Sequence, residues 1–212
     1  MLTATMEPDK PTESDKRSHI IKTAGKLFLE RGFAGTSMGD IAAAGAGAKG
    51  TIYGYFRSKE ELFMAFMTQE IRERASLTFD PLRDGDGVRK SLTDLGRRYI
   101  RLITDPTASA LLRVVIHEAL HFPEIGRMFN DAGPKAAKHR LAEFFAVCIK
   151  QDKLKIDDVP MAVEQFLFLC QARIMQDFLF GLRGTPTDRE INKSVKAAVS
   201  TFLAAFATDR CD

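Results

Sequence analysis

The segment Gly45-Ala46-Gly47-Ala48-Lys49-Gly50-Thr51-Ile52-Tyr53 decides the fold of this 212-residue chain. Its first six residues match G-x-G-x-x-G, a dinucleotide fingerprint that works only between a strand and a helix, where backbone amides approach a pyrophosphate. Here residues 38–44 read as helix, no βαβ alternation follows, and no Lys-Ser/Thr pair after Gly50 makes a phosphate loop. The same residues serve better as the bend of a helix-turn-helix, because two short helices crossing steeply need backbone angles that glycine tolerates. Lys49, Thr51 and Tyr53 then fall in the first turns of the second helix. Gly47, Ala48 and Gly50 keep the start of that helix small enough to press against a groove. Lysine reaches guanine acceptors or phosphate, threonine suits base edges, and a tyrosine hydroxyl donates to phosphate oxygens. A small helical bundle that is merely basic is the competing reading.

Outward from this bend the period is 3.6. Ile20, Ile21, Ala24, Leu27 and Phe28 form the core stripe of an amphipathic helix over 14–31, which Gly32 ends. Thr36 and Ser37 offer N-cap oxygens to a short helix over 38–44, and a second short helix is expected over 48–56. Ser58-Lys59-Glu60-Glu61 predicts a capping box, with Ser58 accepting from the Glu61 amide and the Glu61 carboxylate reaching back. The helix it opens carries Leu62, Phe63, Phe66, Met67 and Ile71, and Lys59 in its first turn favours phosphate. Residues 14–60 hold eight Lys or Arg against four acids, whereas 61–212 hold 22 against 21, so the N-terminal quarter is where a polyanion would bind.

Beyond Pro81 the elements lengthen. A loop at 85–87 precedes a helix through Leu92, Leu95, Tyr99, Leu102 and Ile103, and Asp105-Pro106 opens another to about residue 121. Val114-Val115-Ile116 could pass for a strand, but its alanine-rich flanks favour helix. Further helices are expected over 123–132, 135–151, 160–181 and 188–206. With no hairpin signal and no period-two run, the chain is expected to be all-α, with nine or ten helices.

Composition excludes several classes. The chain is 45% hydrophobic and 28% charged, neither disordered nor fibrous. Cys148, Cys170 and Cys211 share no C-x-x-C spacing, which argues against a disulfide framework or structural zinc and for a reducing compartment. Residues 1–15 carry no secretory pattern and no apolar run approaches 18 residues, so a soluble, cytoplasmic protein with no membrane partner is expected. His117-Glu118-Ala119-Leu120-His121 matches H-E-x-x-H, and histidines at i and i+4 on a helix could ligate zinc with Glu118 as general base. The longer metzincin continuation fails, since Glu124 and Arg127 stand where it needs Gly and His, although Glu143 could supply a third ligand. A zinc-dependent hydrolase is therefore the alternative function. Helix-surface or pocket-wall histidines are preferred, with no catalytic residue, metal or cofactor expected.

Gly32-Phe33-Ala34-Gly35-Thr36-Ser37-Met38-Gly39-Asp40-Ile41-Ala42, then Lys49-Gly50-Thr51-Ile52-Tyr53 and Tyr55-Phe56-Arg57-Ser58-Lys59-Glu60-Glu61-Leu62-Phe63 resemble the DNA-binding domain of the TetR family of transcriptional regulators. The segment from Glu118 to Pro134 also resembles the family's AefR-like C-terminal subgroup. The resemblance implies a three-helix DNA-binding domain over 14–60, preceded by a disordered arm over 1–13 and followed by a helical effector-binding and dimerisation domain over 61–212. It implies DNA contacts from Ser37, Met38, Ala48, Lys49, Gly50, Thr51, Tyr53, Tyr55 and Lys59. Two departures bear on this. Where the family has Ala-Gly-Val-Ser, Gly45-Ala46-Gly47-Ala48 puts alanine at the turn glycine and at the capping serine; Gly54 stands where a long side chain is usual, leaving the phosphate grip to Tyr53 and Tyr55.

The chain has sixteen Phe against three Tyr and no Trp. Most of the C-terminal ones are read as core, and a cavity between helices would be lined by similar side chains. Phe66, Leu102, His117, His121, Met128, Phe129, Phe145, Phe166, Met175 and Phe178 are the candidates for a pocket that would take a small, apolar or amphipathic effector. The last two helices would pair with a second copy, making a homodimeric repressor on a palindromic operator in double-stranded DNA.

Overall fold

A computed structural model of the chain describes residues 12–79 and 87–211. Of the arm expected over 1–13, residues 1–11 lie outside the described residues, and Thr12 and Glu13 already belong to the start of the first helix. The loop expected over 85–87 likewise lies outside them except for Gly87. The chain divides into two compact units, Met1–Phe66 and Met67–Asp212.

In the first unit, α1 (Glu13–Arg31) opens on a capping box between Thr12 and Asp15 and closes where the Gly32 amide, at φ 76°, donates to the Phe28 carbonyl. Helix α2 (Met38–Ile41) opens on a second box between Ser37 and Asp40 and runs into a π-helical turn, Ala42–Ala46. Helices α3 (Lys49–Tyr55) and α4 (Lys59–Phe79) follow. At the start of α4, the Ser58 hydroxyl accepts from the Glu61 amide at 3.2 Å, as expected. The Glu61 carboxylate, however, takes the amide of Arg57 at 2.7 Å, one residue earlier than a capping box requires. Phe28 is the hub of this unit's core: its ring lies edge-on to Phe63 at 4.9 Å, and Phe33 and Phe66 flank it at 6.0 and 6.5 Å.

The bend between α2 and α3 is made by backbone angles. Gly45 sits at φ 93° and ψ 11°, and Gly47 at φ 118° and ψ 175°. A Cβ added at Gly45 would meet nothing within 4 Å, so conformation rather than space demands glycine there. Ala46 between them is buried, and the His19 ring nitrogen Nε2 lies 3.0 Å from the Gly45 carbonyl oxygen, tying the bend to α1. Ala48 has the extended backbone of an N-cap (φ −61°, ψ 145°) but no side-chain oxygen, so the first amides of α3 lack a side-chain cap.

In the second unit, α5 (Val88–Ile103), α6 (Pro106–Ala119), α7 (Pro123–Ala132), α8 (Pro134–Lys150), α9 (Val159–Gln171), α10 (Met175–Leu179) and α11 (Asp188–Phe206) surround one core. Prolines at the first helical positions open α6, α7 and α8, where the missing N–H would have had no intrahelical partner. Asp105 caps α6 by accepting from the amides of Thr107 and Ala108. Phe145, Phe166 and Phe202 form the centre, with Phe202 5.1 Å from Phe145 and 5.3 Å from Phe166.

Two expected boundaries move. The single helix over 160–181 is two, because Ala172 turns extended (ψ 129°) and Arg173 adopts a left-handed φ of 63°. Helix α6 ends at Ala119 rather than at 121, and the His121 amide donates to the Glu118 carbonyl in a tighter turn. The described residues contain eleven α-helices and no strand, only an isolated antiparallel bridge between Leu154 and Ala207.

The uncapped helix and the strained glycine make opposite predictions for denaturant unfolding. Ala48→Ser supplies the missing oxygen and should stabilise by about 1 kcal/mol. Gly47→Ala forces a side chain into a region reserved for glycine and should cost about 1–3 kcal/mol, while Gly45→Asn, at an angle asparagine tolerates, should cost less. Acid unfolding follows from the capping boxes. The Thr12 hydroxyl holds the Asp15 carboxyl below its ordinary value, the Ser37 hydroxyl does so for Asp40, and the Thr187 amide, then its hydroxyl, for Glu190. A depressed folded pKa contributes stability that is full above the unfolded value and is lost as pH falls through the folded one. The contribution should therefore begin to fall below about pH 4 and be lost only as the pH drops through the depressed folded values, and Asp40→Asn should flatten that limb of the stability curve.

Candidate nucleic-acid interface and interior cavity

Helix α3 is seated by Ile52, fully buried, and followed by buried Phe56. The 3.6 period then turns Lys49, Gly50, Thr51, Tyr53 and Gly54 outward, with Tyr55 half-buried. Tyr53 is 46% exposed although it is aromatic. Ala48 just ahead of the helix is exposed as well. Small residues at 47, 48, 50 and 54 leave the approach to this face low, with Lys49 and Tyr53 as its long polar side chains.

The remaining expected contacts are placed less simply. Ser37 is exposed, but its hydroxyl donates to the Asp40 carboxylate at 2.5 Å while accepting the Asp40 amide at 3.1 Å. Met38 is only 7% exposed, so its side chain belongs to the core. Lys59 donates to the Phe33 carbonyl at 2.8 Å and lies 4.2 Å from the centre of that ring. One of its three ammonium donors is thereby spent inside the unit, and the charge is held in place rather than swinging. His19, which pins the bend, carried no signal in the sequence: its partner lies 26 residues away.

The second unit holds a partly open cavity of about 310 Å³ between α5, α6 and α9, bordered by Glu70, Ile71, Arg74, Ala75 and Phe79 of α4 and by parts of α7, α8 and α10. Of the ten expected pocket residues, Leu102, Phe129 and Met175 line it. Phe145 and Phe166 instead pack on Phe202 in the core, because helical spacing is the same for a residue facing a core and one facing a cavity. Phe178 is buried under the Arg113 guanidinium, which also donates to its carbonyl, and Phe66 packs in the first unit. Met128, His117 and His121 are not among the lining residues. Sequence reasoning missed the cavity's polar pair, in which the Gln171 amide donates to the Tyr99 hydroxyl at 2.5 Å. Burial pushes the Tyr99 phenol up to about 12.

The H-E-x-x-H residues do not assemble. His117 and His121 are exposed with ring centres 6.1 Å apart, whereas Glu118 is 2% exposed and belongs to the interior. Among the described residues no three His, Cys, Asp or Glu side chains are grouped to hold a metal ion. No described helix is long and apolar enough to cross a membrane.

Comparison with known proteins follows the same division. A profile of bacterial regulatory proteins of the tetR family matches residues 20–66, and one of the AefR-like transcriptional repressor C-terminal domain matches residues 90–208. The HTH-type transcriptional repressor NemR of Escherichia coli (strain K12) is 33% identical over 79 residues, 37% of this chain and only 40% of NemR. The Probable acrEF/envCD operon repressor of the same strain is 33% identical over 208 residues, covering 91% of this chain and 87% of that protein. Among solved structures, the Flavonoid-responsive Regulator FrrA superposes with a TM-score of 0.82 at 31% identity, covering 92% of this chain and 99% of FrrA. This chain therefore belongs to the TetR family of transcriptional regulators, with a C-terminal domain of the AefR-like type.

Proposed function

We propose that this protein is a homodimeric repressor that binds a palindromic operator in cytoplasmic DNA and is released by a small-molecule effector. The observation that carries it is the outward face of α3. A helix buried by Ile52 and fronted by small residues carries Lys49, Thr51 and Tyr53 where a major groove would receive them. Ser37, the backbone at 38, Ala48, Gly50, Tyr55 and Lys59 would frame it against phosphates, Lys59 with the donors that Phe33 leaves over. Two copies would set their α3 helices about 34–36 Å apart, one turn of B-DNA.

The names of the acrEF/envCD operon repressor and NemR support repression as the output, and FrrA's name supports a ligand-responsive second unit. The cavity supplies a place for the effector, and an effector acts only through its differential affinity for two conformers. For the dimer, α9 exposes Met161 and Phe168, one face two turns apart, with Phe168 65% exposed. Helix α11 exposes Ala197, Ser200, Thr201, Ala204 and Ala205, small side chains that let a partner helix approach closely. The family is one of regulators rather than enzymes, and no observation favours the hydrolase.

Selection of bound duplexes from source-genome DNA should return a palindrome, and recovery of none would overturn the proposal. On that operator, Lys49→Ala should weaken binding about five- to hundredfold and lower the salt slope by about 1 if it contacts phosphate. Tyr53→Phe should weaken it less, with dimer mass unchanged; unaltered affinity for both variants in a mobility shift at fixed salt counts against this docking. Phe168→Asp should convert dimer to monomer in analytical ultracentrifugation.

A further inference from the structure

We infer that the cavity of the second unit takes a neutral, flat, largely apolar molecule bearing a hydroxyl or phenol, docked on the Tyr99–Gln171 pair, and discriminates against carboxylate amphiphiles. The inference rests on the effector reading above and names the chemistry of that same site. The first observation is the pair itself. Tyr99 on α5 is oriented by Phe79, whose ring meets it edge-on at 6.3 Å, and Gln171 is the last residue of α9. The Gln171 amide donates one hydrogen to the phenolic oxygen, which leaves the phenolic hydrogen, the second amide hydrogen and the Gln171 carbonyl oxygen without another partner among the described residues. If the amide is turned over, the phenol donates to Gln171 and its oxygen and the amide hydrogens are left. In either arrangement the pair presents two donor hydrogens and one acceptor oxygen side by side, so a hydroxyl finds a donor for its lone pair and an acceptor for its own hydrogen. A phenol is protonated at neutral pH, and burial moves its ionisation further away, to about 12.

The second observation is that the charges on the wall already have partners. Arg74 pairs with Glu70 one turn before it and lies 3.5 Å from Asp105, and Lys138 pairs with Glu164 at 2.5 Å. A carboxylate entering the cavity would have to draw a cation from one of these half-buried pairs and leave a wall carboxylate uncompensated. At Tyr99–Gln171 it would find neutral donors but also an acceptor oxygen in both arrangements, and no unpaired cation among the described wall residues to offset its lost hydration. The rest of the lining, including Leu102, Ile103, Leu111, Phe129, Leu167 and Met175, offers only apolar surface. A rigid aromatic body gains most from such a wall because it loses little rotamer freedom on binding.

The test uses 2-naphthol and 2-naphthoate, which share one aromatic body and differ in charge at pH 7, titrated calorimetrically into the full-length protein. Naphthol should bind at least tenfold tighter than naphthoate. Tyr99→Phe should weaken naphthol about tenfold and leave naphthoate unmoved, and Ala108→Phe, which puts a ring into the cavity, should abolish naphthol binding. Equal or tighter binding of naphthoate, or a Tyr99→Phe protein that holds naphthol as well as the wild type, overturns the inference while leaving an effector cavity in place. Binding of neither probe overturns both readings. Operator affinity measured alongside separates them in the other direction: naphthol that binds at Tyr99 without changing operator affinity upholds the ligand class and tells against the effector mechanism.

Discussion

Two glycine conformations hold the DNA-facing half of this protein in its shape. Gly45 and Gly47 take positive φ values on either side of a buried alanine, and these angles break the helical path between α2 and α3. An L-residue with a Cβ would resist such angles by about 1–2 kcal/mol at each position. The His19 imidazole then takes up the Gly45 carbonyl, which the abandoned helix leaves without its usual intrahelical donor. The family's turn glycine and capping serine are alanines here, and the bend survives because glycine has moved to the positions on either side. What is missing is the cap oxygen of α3, a loss of stability rather than of direction.

How far the sequence could be read depends on which physical signal each feature leaves. The N-terminal helices were legible because periodicity, hydroxyl caps and glycine stops coincide within a few residues of one another, as at Ser37–Asp40. The break after α9 was not, because Arg173 takes a left-handed angle with no glycine to mark it, and the apolar period continues across the gap to Phe178. The pocket was legible only in part. Phe145, Phe166 and Phe129 recur at similar helical spacing, yet two fill the core and one faces a cavity, a difference that helical spacing alone does not encode. Tyr99 and Gln171 meet across 72 residues, and nothing local announces them. Met38 and Lys59 show a related limit: a motif places the backbone, whereas burial and a neighbouring aromatic ring decide what the side chain still has to offer.

Helix α4 belongs to both units in sequence. Its Phe63 and Phe66 complete the Phe28 cluster, and Glu70, Ile71, Arg74, Ala75 and Phe79 form part of the cavity wall. Its far end is held: Arg98 on α5 donates to the Thr78 carbonyl at 2.9 Å, supplying one of the acceptors that a helix C-terminus leaves unpaired with a charged partner. In the proposed mechanism this makes α4 the element through which cavity occupancy is felt, since it cannot shift without disturbing either the Phe79–Tyr99 contact or the Arg98 anchor.

The division of labour inside the cavity follows from the same mechanism. Apolar contact with a wall such as Leu111 or Leu167 declines gradually as helices move, so it contributes similar affinity, about 25 cal/mol per Å² buried, to neighbouring conformers. A hydrogen bond is different: it needs a heavy-atom separation of about 2.7–3.2 Å and near-linear alignment, and it fails steeply outside that range. Tyr99 and Gln171 sit on different helices, and Gln171 lies immediately before the break at Ala172 and Arg173, where α9 gives way to α10. A ligand that satisfies both groups at once therefore senses the separation of α5 from the end of α9. Because only differential affinity moves an equilibrium, this one polar pair can contribute more to switching than the larger apolar surface that supplies most of the binding.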